Sequence, residues 1–164
     1  MLEVQISQPR PLAIRYPKAE EKALAGFKTE FVIGKWTTLQ DGRDIALISY
    51  GNLLTECLGC AEILKNEGIG ARVINASTLK PLDEELLSAL KIPYYIAEEN
   101  TLNGGLGSAI AAFAARNGCN APSGIFAVQD RFIPHGAHQD LLKMAGLTAG
   151  QMAEKIRTDL NKNA

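Results

Sequence analysis

The sequence predicts a three-layer α/β domain: a mostly parallel sheet with helices on both faces and an antiparallel strand at one edge. Three observations carry this. From Asp44 onward, apolar runs of strand length alternate with segments of helical period, which in a single sheet demands right-handed crossovers. The run Ile45 to Tyr50 is almost continuously apolar, as expected of a parallel strand covered on both faces. Glycine follows at the points where the period changes, at Gly51, Gly68 and Gly146.

The elements follow in order. Pro9, Pro11 and Pro17 punctuate a short apolar stretch, Leu12 to Ile14, which reads as a brief strand or an extended arm. Pro17 biases Tyr16 away from helix, and Lys18 to Ala25 has linker or surface character. Phe31 to Thr38 alternates as a strand, and Gln40, Asp41 and Gly42 supply a turn, so this strand is expected antiparallel at one edge. After Ile45 to Tyr50, the residues Leu53, Cys57, Ala61 and Leu64 share one helical face, closed by Asn66 and Gly68. Ala71 to Ala76 is the next strand. Lys80-Pro81-Leu82-Asp83 then leads into a short helix with Asp83 as N-cap and Leu86, Leu87 and Leu90 inward. Tyr94 to Ala97 forms a strand running into Glu98-Glu99-Asn100, and the glycine-rich turn Gly104 to Ser108 opens a helix over Ala109 to Arg116. A strand at Gly124 to Val128 precedes Asp130 to Gly136, and helices at Gln139 to Ala145 and Ala149 to about Asn161 end the chain.

Composition bounds the function. The 164 residues suit one domain of ordinary size. Seventeen Lys and Arg against 18 Asp and Glu leave a net charge of −1, which predicts no nucleic-acid partner and no membrane-surface patch. No apolar run reaches the roughly 18 residues of a spanning helix, and the N-terminus lacks a signal pattern. Three cysteines, an odd number, fit reduced thiols and a cytoplasmic location.

Four groups of residues carry candidate chemistry. Gly104-Gly105-Leu106-Gly107-Ser108 sits between strand and helix, where phosphates bind in dinucleotide sites. Counting from Gly105, however, the third glycine of G-x-G-x-x-G is replaced by Ile110, and no Lys-Ser/Thr follows, so a tight packed turn is the preferred reading. Cys57-Leu-Gly-Cys60 has the spacing of redox and zinc sites but lies inside a helix with no second pair, which favours two buried thiols. His135 and His138 form an H-x-x-H pair with no third ligand. His135 is placed to reach a cleft at the carboxyl end of the sheet, though a surface role is preferred. Glu98 and Glu99, adjacent on a strand, point to opposite faces and cannot act as a facing pair, and one of them is expected to bond the glycine turn. Ser49 and Ser108 lack a nucleophile elbow. No self-contained catalytic set is legible, and neither catalytic, cofactor-binding nor metal residues are assigned.

Several motifs stand in one order: Arg15-Tyr16-Pro17-Lys18, Ile33-Gly34-Lys35, Leu79-Lys80-Pro81-Leu82-Asp83, Glu98-Glu99-Asn100 with Gly104 to Ser108, and Phe132-Ile133-Pro134-His135-Gly136. This series, with Gly146-Leu147-Thr148 and the final helix, resembles the C-terminal domain of the transketolase-like thiamine-diphosphate enzymes, closest to 1-deoxy-D-xylulose-5-phosphate synthase. The resemblance covers nearly the whole chain. It implies that residues 1–28 are the tail of a preceding pyrimidine-binding domain with its linker, and 29–164 the transketolase C-terminal-like domain. It also implies that thiamine diphosphate and Mg2+ are held by domains lacking here, whose G-D-G…N motif and activating glutamate are absent. The chain is then a fragment or a split subunit, inactive without those domains, that joins them in a homodimer.

One site residue follows from the same resemblance. Arg15 occupies the place of the family's R-Y-P arginine, which binds the phosphate of the acceptor glyceraldehyde 3-phosphate; a guanidinium suits this through its fixed charge and paired donors. The sequence departs beyond it, with Lys18-Ala19 where the family carries Arg-Gly. Glu99 and His135 take structural or interface roles and no catalytic one. The parent reaction implied joins a two-carbon unit from pyruvate to glyceraldehyde 3-phosphate. Three alternatives stand beside it: the same part of a transketolase or of a 2-oxo-acid dehydrogenase E1 β subunit, a non-catalytic interaction module, and a nucleotide-binding domain using Gly104 to Ser108.

Overall fold

The computed structural model describes residues 1–7, 11–16 and 30–162. Its sheet has five strands in the order β1-β3-β2-β4-β5: β1 (Thr37–Gln40), β2 (Ile45–Ser49), β3 (Ala71–Asn75), β4 (Tyr94–Thr101) and β5 (Gly124–Val128). All neighbours run parallel except β1 and β3, so the expected antiparallel edge strand is present. The helices are α1 (Leu2–Ser7), α2 (Leu53–Asn66), α3 (Glu84–Ala89), α4 (Leu106–Asn117), α5 (His138–Ala145) and α6 (Ala149–Lys162).

Alternation along the central strands builds two cores. Ile45, Leu47, Val73, Tyr95 and Ala97 face α2, α5 and α6 on one side. Ala46, Ile48, Ile74, Tyr94 and Ile96 face Trp36, α3 and α4 on the other. Every residue of β2 is buried, as the continuous apolar run predicts. In α2 the face marked by Leu53, Cys57, Ala61 and Leu64 is buried, with Cys60 beside it. Asp83 caps α3 by accepting a hydrogen bond from the Leu86 amide at 3.1 Å, and Leu87 and Leu90 are buried while Leu86 is only partly so.

The first strand departs from expectation. Phe31 to Trp36 is not strand: Lys35 donates its amide to the Val32 carbonyl at 3.1 Å around Gly34, whose φ of +79° is left-handed. The segment is instead spent on anchoring. The Trp36 amide donates to Asp83 at 2.9 Å and its indole N–H to the Thr78 carbonyl at 2.8 Å. Strand β1 therefore begins only at Thr37. It pairs with β3 rather than with β2, its neighbour in sequence, because the connection crosses the start of β3. Gly42 makes that crossing possible: a Cβ there would stand 2.2 Å from the Ala71 carbonyl carbon.

Other differences are local. Leu12 to Ile14 forms no strand, and the short helix α1 had no signal in the sequence. The linker reading of Lys18 to Ala25 and the Lys18-Ala19 departure lie outside the described residues. Strand β4 continues through Glu98-Glu99-Asn100 to Thr101, because Thr101 re-pairs with Val128 after an irregularity in register. Helix α4 starts at Leu106 and α5 at His138, each earlier than the sequence pattern placed it.

Candidate functional site

The strand order fixes where a site can form. The crossover leaving β2 runs through α2 toward β3, whereas the one leaving β4 runs through α4 toward β5, on the opposite face. Between the carboxyl ends of β2 and β4 the chain therefore diverges, and this divergence is where open α/β sheets take ligands. Tyr50 and Gly51 follow β2 there, and Glu98 and Glu99 lie opposite in β4. Ser49 ties the two strands together just below, its hydroxyl donating to the Ala97 carbonyl at 2.8 Å.

Glu98 and Glu99 serve different partners, one on each face. Glu98 is fully buried and accepts from the amides of Leu106 and Gly107 at 2.8 and 2.9 Å, the first turn of α4. Its charge meets the positive end of the helix and satisfies two donors that no residue within the helix can reach. Gly105 is required by this contact, since a Cβ there would fall 2.3 Å from the Glu98 carboxylate. Glu99 turns to the other face, where its Oε1 lies 2.6 Å from His138 Nε2. With Nε2–H donating, the Nδ1 of His138 is left as an acceptor.

The capping settles the glycine turn. The amides that would cradle a phosphate are occupied by a carboxylate belonging to the chain, so this turn does not fit the diphosphate of thiamine diphosphate or of a nucleotide. Ser108 is also committed to the turn, donating to the Leu102 carbonyl and accepting from the Gly104 amide at 3.2 Å. Among the described residues, no group of three or more His, Cys, Asp or Glu is placed to hold a metal ion. No step through either group is assigned to these residues.

Cys57 and Cys60 are fully buried as free thiols. Burial pushes both up to about 12, which removes the thiolate that redox or zinc chemistry needs. His135 is exposed in the loop before α5, and His138 is engaged by Glu99, so the H-x-x-H pair does not act as a unit.

Arg15 is exposed and approaches the Tyr50 hydroxyl from the N-terminal segment. Burial raises the Tyr50 hydroxyl above its ordinary value, with Glu98 and Glu99 adding to the rise and Arg15 opposing it. The tyrosine oxygen is enclosed and meets no partner at hydrogen-bond geometry. Tyr50 was not singled out by its sequence context. Its one signal is position, a polar-tipped aromatic closing a buried strand just before Gly51. The pairing of Glu99 with His138 had no sequence signal, because 39 residues separate them.

Residues 34–152 match the family model described as "Transketolase, C-terminal domain". The chain belongs to this family. It is 36% identical to 1-deoxy-D-xylulose-5-phosphate synthase of Geobacillus thermodenitrificans over 154 residues, covering 90% of this chain but 24% of that enzyme. It is 34% identical to a putative transketolase C-terminal section of Methanocaldococcus jannaschii, covering 93% of this chain and 49% of the relative. A solved structure described as a split-gene transketolase, inactive β4 tetramer, superposes with a TM-score of 0.70 at 33% identity, over 81% of this chain and 43% of that one. The chain thus spans about a quarter of the length of the synthase it matches. Both the resemblance and the α/β architecture expected from the sequence are borne out. Among the described residues, no helix is long and apolar enough to cross a membrane.

Proposed function

We propose that this chain is the C-terminal domain of a thiamine-diphosphate-dependent transferase of the 1-deoxy-D-xylulose-5-phosphate synthase type. Residues 1–28 would be the tail of the preceding pyrimidine-binding domain. Its part in the reaction is to bind the phosphate of the acceptor through Arg15 and to support assembly of the dimer. Decarboxylation of pyruvate takes place on thiamine diphosphate held by other domains. The observation that carries this reading is 36% identity to the synthase over an alignment that covers 90% of the chain, and the Arg15-Tyr16-Pro17 motif of the sequence accords with it. The position of Arg15 beside Tyr50, at the carboxyl edge of the sheet, supports it.

A split enzyme predicts complementation. Mixed with the cofactor-binding portion of a synthase relative, the chain should restore carbon dioxide release from pyruvate in the presence of glyceraldehyde 3-phosphate. No gain over that portion alone would count against the partnership. In the active mixture Arg15→Ala should raise the KM for glyceraldehyde 3-phosphate by about tenfold or more, the loss of a charge-assisted pair, with a smaller effect on kcat. An unchanged KM removes the phosphate role.

A second reading is favoured by one observation: two of the similar proteins are described as a transketolase section and a split-gene transketolase. Under it the donor is a ketose phosphate. Supplying the mixture with ketose phosphate in place of pyruvate separates the two.

A further inference from the structure

The loop between β5 and α5 leaves apolar side chains uncovered at the β5 edge of the sheet. Phe132 in the loop is 103% exposed, and Met144 in the last turn of α5 is 55% exposed. A lone exposed apolar residue is ordinary, but here a phenyl ring stands on the rim of a cleft. The cleft has a volume of about 180 Å3, lies between the loop and α5, and is lined by Val128, Ile133, Pro134, Met144 and Ala145. A cavity of about 150 Å3 with aliphatic walls takes a benzene ring, so this one has the size and the lining for a phenyl side chain. Phe132 does not fill it, since a fully exposed ring touches no wall of its own chain. The loop that presents the ring is held at both ends. The Arg131 amide donates to the Gln129 carbonyl at 2.7 Å, and Gly136 packs so closely that a Cβ there would stand 3.2 Å from the Leu141 side chain.

A ring and a matching cleft on one surface are the two halves of an isologous contact, in which each copy gives its ring to the other. We propose that this face binds a second copy of the chain, Phe132 of each entering the cleft of the other. Charge on the rim fits such a pairing. Asp130 and Arg131 in the loop, and Asp140 and Lys143 on α5, are exposed and take no part in the ion pairs among the described residues. One acid and one base on each element let two copies meet with opposite signs facing and no net repulsion. Two ring anchors with their rims cover on the order of 1,000 Å2, the lower end for a specific interface, so the association depends on concentration. The contact gives the assembly role proposed above a surface, and rests on that reading.

The test is sedimentation equilibrium of the full chain from micromolar to millimolar concentration. The average mass should climb from that of a monomer toward twice that value. Phe132→Ala should weaken the association by roughly tenfold or more, because the anchor is lost twice per dimer, and Met144→Glu should do the same by placing a charge in the cleft. Leu79→Ala, at an apolar residue 40% exposed beyond β3, should leave it unchanged. All three side chains are exposed, so the melting temperature of the dilute protein should stay at its original value, which separates lost contact from lost fold. A chain that remains monomeric throughout overturns the second copy as occupant. If Phe132→Ala in such a chain abolishes complementation of the cofactor-binding portion, the face belongs to that portion instead. A dimer that survives both Phe132→Ala and Met144→Glu overturns the surface, and growth beyond twice the monomer mass overturns the closed twofold contact. Association is read apart from carbon dioxide release, so its failure and a failure of the transferase reading are separate results.

Discussion

Glu98 is the residue on which the glycine turn depends. It is a fully buried carboxylate whose partners are two backbone amides. Replacing it with alanine leaves both amides without an acceptor and opens a cavity, so Glu98→Ala should cost about 2–3 kcal/mol in urea unfolding. A loss within 0.5 kcal/mol, the range of an ordinary surface change, would show that the amides find water instead. The buried thiols make a second residue-scale prediction. Cys57 and Cys60 rise from 9.0 to about 12 on folding, so the unfolded chain ionises first. Their contribution to stability is complete below pH 9 and is lost as pH climbs from 9 toward 12. At pH 8 a thiol reagent should label Cys119, which is partly exposed, and leave Cys57 and Cys60 unlabelled until the protein unfolds. Prompt labelling of three thiols would refute the buried arrangement.

At the scale of elements, α6 shows how a helix with a polar average composition holds its place. Met152, Ala153 and Ile156 recur on one face and are fully buried against the α2 side of the sheet. The start of α6 is fixed by Glu56 of α2, which accepts from the Ala149 amide at 2.8 Å. Close approach of the two helices is visible at Gly59, where a Cβ would lie 3.2 Å from that of Ala149. Ile156→Ala should therefore destabilise the domain by about 2–4 kcal/mol, read from the shift of a urea midpoint at constant slope. The same substitution at exposed Arg157 should move it by less than about 0.5 kcal/mol. Strand β1 behaves differently. It is only four residues long and half-buried, and the Trp36 anchor to Thr78 and Asp83 positions it as much as its own pairing does.

For the whole molecule, the two cores share the strands of one sheet. Ile45, Leu47 and Val73 on one side alternate with Ala46, Ile48 and Ile74 on the other, so neither side can unfold and leave the other with its strands intact. A single cooperative transition is expected. Trp36 reports from the α3–α4 side and far-ultraviolet circular dichroism from all elements, so their urea transitions should coincide. An earlier fluorescence transition would mean that the Trp36 anchor melts separately. The molecule also places its polar groups unequally. Tyr50, Glu98, Glu99, Arg15 and His138 gather at the carboxyl ends of β2 and β4, where the proposed phosphate site lies.

The α/β class, the central strands, helices α2 to α6 and the family were legible in the sequence, because these rest on local periodicity and on short motifs read in order. Gly124 to Val128 and Ile45 to Ser49 are strands close to where the apolar runs place them, and Asp83 is the N-cap it was read to be. The tertiary structure alone decided which neighbour each strand takes and which polar groups meet. Strand β1 lies beside β3 because its connection crosses above Ala71, a contact between residues 29 apart at Gly42 and Ala71 that no local pattern encodes. The same holds for Arg15 and Tyr50, and for Glu99 and His138. Hydrophobic periodicity is a property of neighbours along the chain, whereas a site is assembled from strand ends that only the crossover directions bring together.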